Sequence, residues 1–443
     1  MTLRLRTTPV PGTRDAYTGI DFNLGFHARH YHLDLTYRVM PNRLDGTATI
    51  DVVTWKDLGV MTLDLMNNLS VRRVTAVGAG GRSIKVTRFK HSDNKLRITF
   101  SEPLRADTEF QLVIRYGGNP RGRRTTWGDI GWEELESGAL VASQPNGAPS
   151  WFPCDDTPDE KALYDIRVTA DNPFTVISNG ELVHKRGAGS TTTWHYRTAQ
   201  PLASYLVTLQ VGEYTRLELG TRTDAWVPRR FLEEAREAFR DQEEMLEVYE
   251  NIFGPYPFPR YTVVMTEDEL EIPLEAQGLS IFGSNMVTPE WERLVAHELS
   301  HQWFGNSLGL AQWDDIWLNE GFACYCEWLW FEHKGHPAAD SALEHYQDLA
   351  MKPQDLVIGD PGAQDMFDDR VYKRGALTVH ALRVLLGDAA FFEALRAYVS
   401  FGRHSIVEPV DLRTQLYRVG NQEQIDELLD AWLWSPALPE FPR

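Results

Sequence analysis

The sequence predicts an α+β chain of two domains, an antiparallel β domain over residues 1–218 and a mainly helical domain with a small sheet over 219–443. Three observations predict it. A chain of 443 residues is longer than one ordinary hydrophobic core holds. From about residue 28 to 216 β-branched and aromatic residues alternate with polar ones at period two, the pattern of half-buried strands. Near "LGTRTDAWVPRR" the alternation gives way to apolar residues at helical spacing.

Taken in order, the strand segments are "HYHLDLTYRV", "GTATIDVVTW", "KLRITF", "FQLVIRY", "LYDIRVTAD" and "SYLVTLQVGEYTRLEL". Turn signals separate them, among them "NRLDG", "HSDN", "GGNPRG" and "ISNG". Pro228 is placed to open a helix, and "RRFLEEAREAFRDQEEMLEVYENIFG" then carries Phe231, Leu232, Ala235, Phe239, Met245, Leu246 and Tyr249 at roughly helical spacing up to Gly254. Short strands follow in "YTVVMT" and "GLSIFG". The remainder is helix-rich through "ALTVHALRVLL", "AAFFEALRAYVSF", "VDLRTQLYRV" and "QIDELLDAWLW".

Composition excludes several classes. Apolar residues make up 42% and charged residues 24%, and no run of 18 apolar residues suggests a membrane span. A net charge of −19 disfavours nucleic acid, whose phosphates demand a basic face, and favours cationic ligands such as metal ions and amines. The amino terminus "MTLRLRTTPVPGTRD" has arginines but no apolar stretch behind them, so no secretory signal is expected. Three cysteines, Cys154, Cys324 and Cys326, are too few for a disulfide framework and read as packing residues in a reducing, cytoplasmic compartment.

The chemistry concentrates in "ERLVAHELSHQWFG". His297 and His301 are four apart, so a helix puts both imidazoles on one face within reach of one ion, and Glu298 lies beside them. Alone, this is a moderate signal, the alternative being a chance match on an amphipathic helix. Glu320 follows His301 after 18 intervening residues, at the start of a second helical pattern, a spacing that lets an antiparallel helix return a carboxylate. By itself Glu320 is also an ordinary exposed glutamate at a helix start.

With these residues in place the sequence resembles the aminopeptidase N family of zinc metallopeptidases. Its signature is the two-histidine motif, 18 residues, then Glu within a "NEG" box. Further matches run in family order through "QPNGAPSWFPCDDTP", "SNGEL", "ASYLVTLQVGEY", "IFGPYPFPRYTVV" and "VYKRGALTVHALRVLLG". The resemblance implies a saddle-like β domain before a thermolysin-like catalytic domain. It also implies one zinc ion per chain, and peptide substrates with a free amino terminus.

On that resemblance His297, His301 and Glu320 bind zinc, and Glu298 acts as general base and then acid. Tyr372, one of 16 tyrosines, stabilises the oxyanion, while Gln144 and Glu275 anchor the free α-amine. Glu327, seven residues after Glu320 on the same helical face, is a candidate to orient His297; a solvated helix glutamate is the equal alternative. Leu274 and Phe367 are expected in the pocket for the first side chain, suiting Leu, Met, Arg or Lys, unless they are plain core residues. The family's "GAMEN" box here reads "IPLEA", and Pro273 offers no backbone N–H to a substrate.

Relatives continue into a small β module and a helical roof, whereas this chain stops at "LWSPALPEFPR", so a reduced two-domain form with a more open cleft is expected. The oligomeric state stays open. Competing readings are a zinc endopeptidase, an epoxide hydrolase as in one branch of the family, and an inactive peptide-binding scaffold. The last predicts loss of at least one of His297, Glu298, His301, Glu320 or Tyr372, and all are present.

Overall fold

The computed structural model describes residues 14–442. Most of the first half is strand. A nine-stranded sheet is ordered Glu181–Ala188, Thr191–Arg197, Lys161–Asp171, Phe26–Arg38, Arg43–Thr54, Glu109–Gly118, Leu69–Gly78 and Ser83–Ile84, with Leu202–Ala203 pairing Lys161–Asp171 off that path. A three-stranded sheet (58–64, 95–104, 86–92) and a five-stranded sheet (175–178, 209–212, 138–142, 128–135, 123–125) accompany it. Alternation sets the faces. In Phe26–Arg38, Tyr31, Leu33, Leu35 and Tyr37 are buried while the residues between them face outward.

The large sheet is antiparallel with one exception, which periodicity does not reveal. Phe26–Arg38 pairs Lys161–Asp171 in parallel, His32 lying beside Asp165. The long stretch of chain between these strands makes such a crossover possible.

The second half holds a four-stranded sheet, Tyr214–Glu218, Thr223–Pro228, Tyr261–Met265 and Leu279–Phe282. The junction expected after residue 218 falls within its first hairpin, where Tyr214–Glu218, expected in the first domain, pairs with Thr223–Pro228. Nine α-helices follow among the described residues: α1 (Leu232–Ala238), α2 (Gln242–Phe253), α3 (Glu292–Ser300), α4 (Trp317–His333), α5 (Ala338–Ala350), α6 (Asp369–Leu386), α7 (Asp388–Gly402), α8 (Pro409–Leu416) and α9 (Gln422–Leu433).

Two sequence expectations are corrected here. Pro228 ends a strand and caps a short 3-10 turn, Arg229–Phe231, which lies between it and the first α-helix. The single helix expected up to Gly254 is two helices broken by a turn over 239–241. At the break Phe239 is fully buried and packs on Phe282 at 5.4 Å between ring centroids, so tertiary burial outweighs the helical spacing.

One continuous apolar core runs through both halves, from Phe26 to Leu433. Lys161 ties them together, its Nζ donating to the carbonyls of Asn306 (2.8 Å), Ser307 (2.9 Å) and Ser405 (3.1 Å). Arg374 is buried in α6 and donates to the carbonyls of Ala431, Trp432, Ser435, Pro436 and Ala437, capping the carboxyl end of α9. No described helix is long and apolar enough to cross a membrane.

Acid stability follows from α6. Burial, aided by Arg383, holds the His380 imidazole down at about 4, against an ordinary 6.5. The unfolded chain then binds the extra proton over that interval, so stability is full above the unfolded value and is lost as pH falls towards the folded one. Melting temperature should therefore drop on acidification from pH 6.5 to 4, and His380→Gln should flatten part of that slope in a thermal-denaturation series. His404, also held at about 4 by burial, accounts for a further share.

Candidate active site

The motif helix α3 ends at Ser300, and His301 follows as its cap, the His301 N–H donating to His297 O at 3.3 Å. Both imidazoles are buried. Each has one ring nitrogen engaged: His297 Nδ1 lies 2.8 Å from Glu327 Oε1, and His301 Nδ1 lies 3.0 Å from the carbonyl of Phe304. Both Nδ1 atoms therefore carry hydrogen, and the two Nε2 atoms are left facing Glu320, the positions from which they would ligate an ion. Glu320, in the first turn of α4, brings Oε2 to 3.5 Å from His297 Nε2 and 3.4 Å from His301 Nε2. Bonds of about 2.0–2.1 Å at tetrahedral angles separate donors by about 3.3–3.4 Å, so the three atoms fit a zinc-sized ion.

Charge points the same way. Glu275, Glu298, Glu320 and Glu327 are all buried against two imidazoles, and one oxygen of Glu298 is buried with no hydrogen-bond partner. Burial pushes the Glu298 carboxyl up to about 8 and raises that of Glu275, while the two imidazoles work in the opposite direction on both. A dication and an ammonium are the charges that relieve such a site.

Gln144 Nε2 donates to Glu275 Oε1 at 2.6 Å, joining the two expected amine ligands from distant parts of the chain. The "IPLEA" box is fixed by its own ladder: Leu274 N–H donates to Ile281 O (3.0 Å) and Ile281 N–H to Leu274 O (2.9 Å). Two residues that the sequence reading passed over hold the box to the motif. Asn306 Nδ2 donates to Glu275 O at 2.9 Å; Gln302 Nε2 donates to Ala276 O at 3.2 Å, and its Oε1 accepts from Gly278 N–H at 2.7 Å. Their only signal was proximity to "HELSH".

Tyr372, near the start of α6, stacks on the His297 ring at 6.1 Å and 19°. Burial and the carboxylates of Glu320, Glu275 and Glu298 push its hydroxyl well above the usual tyrosine value, so it stays protonated and able to donate. Close helix packing sets its position: a Cβ on Gly375 would lie 2.7 Å from the Cα of Gly321, the residue after Glu320. Only glycines let α4 and α6 approach so closely.

Gln144, Leu274, Phe367 and Tyr372 all line one cleft of about 760 Å³. Phe367 meets Trp127 edge-on at 6.1 Å, and Trp127 Nε1 donates to Ala363 O at 2.8 Å. Trp127 is a wall residue that no motif signalled.

Glu327 also lies 3.4 Å from Arg293 Nη1. This buried, paired carboxylate is not the solvated alternative. Glu327→Ala is expected to weaken metal binding by about 10–100-fold, measured by chelator competition, with Glu327→Gln recovering part of it through an acceptor oxygen.

The chain is similar to known proteins along most of its length. Residues 27–206 match the peptidase M1 N-terminal domain and residues 237–432 match the peptidase family M1 domain. The chain is 26% identical to human aminopeptidase B over 94% of its own length and 71% of that protein's. It is 24% identical to rat glutamyl aminopeptidase over 91% of its length and 46% of the relative's. The crystal structure of an M1 zinc metallopeptidase from Deinococcus radiodurans superposes with a TM-score of 0.87 at 28% identity, covering 97% of this chain and 99% of that one. A mutant of that enzyme, with the same score and coverage, was solved bound to a Tyr-Ser-Ala substrate.

Proposed function

Because the chain belongs to the peptidase M1 family, we propose that it is a zinc aminopeptidase whose catalytic centre is the cluster of α3, α4 and α6. The observation that carries this reading is the Gln144–Glu275 pair set beside the His297, His301 and Glu320 donors. Glu275 and Glu298 each offer an oxygen within 4.8 Å of a His301 nitrogen, so the amine anchor and the base share one small space.

His297, His301 and Glu320 hold zinc. When bound, the ion supplies Lewis acidity, polarising a carbonyl and lowering the pKa of water towards neutrality. Glu298 takes the proton of the attacking water and returns it to the leaving amine. The Tyr372 hydroxyl donates to the developing oxyanion. Gln144 and Glu275 accept hydrogen bonds from the α-ammonium and set the distance from the chain end to the scissile bond. A continuing peptide chain would offer one neutral N–H in place of an ammonium and leave the Glu275 charge buried and unpaired, which opposes endopeptidase action.

The cleft wall carries Asp129, Glu133, Glu134, Glu269, Glu271, Asp365 and Asp368 against the single guanidinium of Arg121. With Leu274 and Phe367 supplying apolar surface, the pocket suits Leu, Met, Arg or Lys at the first position. Among single-residue amide substrates, kcat/KM for Arg, Lys or Leu should exceed that for Glu by about tenfold or more; an acidic residue ranked first would contradict this pocket. Three buried, unpaired cysteines support a reducing, cytoplasmic location.

The test of the activity is mass-spectrometric mapping of a digested peptide. Stepwise loss from the amino end is expected. Internal cuts would support the endopeptidase, and zinc bound without any cleavage would support a scaffold.

A further inference from the structure

The large sheet carries a second histidine cluster on its outward face, away from the cleft. His30 and His32 alternate with buried Tyr31 and Leu33, past an irregularity between Ala28 and His30 that sets them on one face. Register does the rest. His32 pairs with Asp165 across the parallel ladder, His30 pairs with Asp51 across the antiparallel one, and Asp165 pairs with Arg197 on its other side.

His30 Nε2 lies 3.1 Å and His32 Nδ1 3.7 Å from Asp165 Oδ2, and the three donor atoms lie within 4.8 Å of one another. This spacing brackets the 3.4–3.5 Å of the catalytic cluster. The orienting contacts are repeated as well. His32 Nε2 lies 3.2 Å from Asp51 Oδ2, as His297 leans on Glu327, and this leaves the Nδ1 lone pair towards Asp165. Asp165 Oδ1 is already taken by His195 Nε2 at 2.6 Å and Arg197 Nε at 3.0 Å, so Oδ2 is the free oxygen.

His30 Nε2 is the second, independent observation. It is buried and makes no hydrogen bond, although it lies beside the Asp165 oxygen. The His32 ring stacks on it with centroids 4.0 Å apart, which brings the second imidazole to the same carboxylate. An imidazole nitrogen without a well-aligned hydrogen bond, 3.1 Å from a carboxylate oxygen and beside a second imidazole, is placed to ligate a cation.

We propose that His30 Nε2, His32 Nδ1 and Asp165 Oδ2 form a second site for a divalent transition-metal ion of the zinc type, with Asp51 positioning His32 and the fourth position open to solvent. Two imidazoles and a carboxylate suit zinc, with nickel and copper able to compete. The side chains are 23%, 39% and 13% exposed, so the ion exchanges readily and binds more weakly than in the buried cluster. It would cross-link the parallel pair Phe26–Arg38 and Lys161–Asp171, so its effect falls on the stability of the β domain and not on peptide hydrolysis.

The experiment is a zinc titration of the metal-stripped full-length protein, read by isothermal calorimetry and by melting temperature. Wild type should bind two equivalents, the second one weaker and raising the melting temperature further. The double variant His30→Ala/His32→Ala and, separately, the isosteric Asp165→Asn should each lose only the weaker equivalent and its thermal increment, with leucine amide hydrolysis unchanged. His301→Ala should keep the weaker one. A single equivalent in wild type, or a second equivalent that survives in Asp165→Asn, would overturn the proposal.

Discussion

Replacing Glu298 by alanine is expected to lower kcat by about 10²–10⁴-fold while leaving zinc content near one per chain in the catalytic cluster. The two halves of that expectation come from different atoms. The proposed metal donors are His297 Nε2, His301 Nε2 and Glu320 Oε2, which converge at 3.4–3.5 Å, and Glu298 is not among them. Its own Oε2 is buried with no partner, an orphaned acceptor that only an incoming proton donor satisfies. Truncation therefore removes the proton acceptor without dismantling the metal ligands. Steady-state kinetics with metal analysis of the same sample decides it: activity within tenfold of wild type, or loss of the metal, would show that Glu298 does something else.

Tyr372→Phe should cost about 10²–10³-fold in kcat with little change in KM. Burial and three neighbouring carboxylates favour the protonated hydroxyl, so it is available as a donor. In the proposed role it meets charge that exists only as the carbonyl is attacked, so its loss should fall on the transition state more than on substrate binding. The phenylalanine retains the ring, so the stack on His297 and the Gly321–Gly375 helix contact persist and the fold should be unaffected. A variant whose KM rises while kcat holds would instead place Tyr372 among the substrate-binding residues.

Much of this site was legible in the sequence because it is local. His297 and His301 are one helical turn apart, and Glu320 sits in the first turn of the next long helix, so spacing makes their meeting possible. Gln144, Glu275 and Tyr372 came from family motifs, since nothing in composition or periodicity separates them from other glutamines, glutamates and tyrosines. Glu327 was ambiguous for a physical reason: a heptad spacing fixes the helical face but not whether that face is buried, and only the packing of α4 on α3 settles it.

What stayed hidden is non-local. Lys161, Gln302 and Asn306 act through backbone carbonyls far away in sequence, and a carbonyl has no sequence signature. The parallel pairing of Phe26–Arg38 with Lys161–Asp171 is equally invisible to alternation, which reports faces and not partners. The outward His30, His32 and Asp165 cluster depends on that pairing, so it emerges only once the strands are side by side. The break at Phe239 reflects a competition between spacing and burial that only the folded chain resolves.

The most direct measurement is hydrolysis of leucine amide and of its N-acetylated counterpart by the same zinc-loaded preparation. Cleavage of the free-amine substrate alone is expected, because only an ammonium compensates the buried Glu275 carboxylate beside Gln144. Equal cleavage of the two would contradict the aminopeptidase assignment.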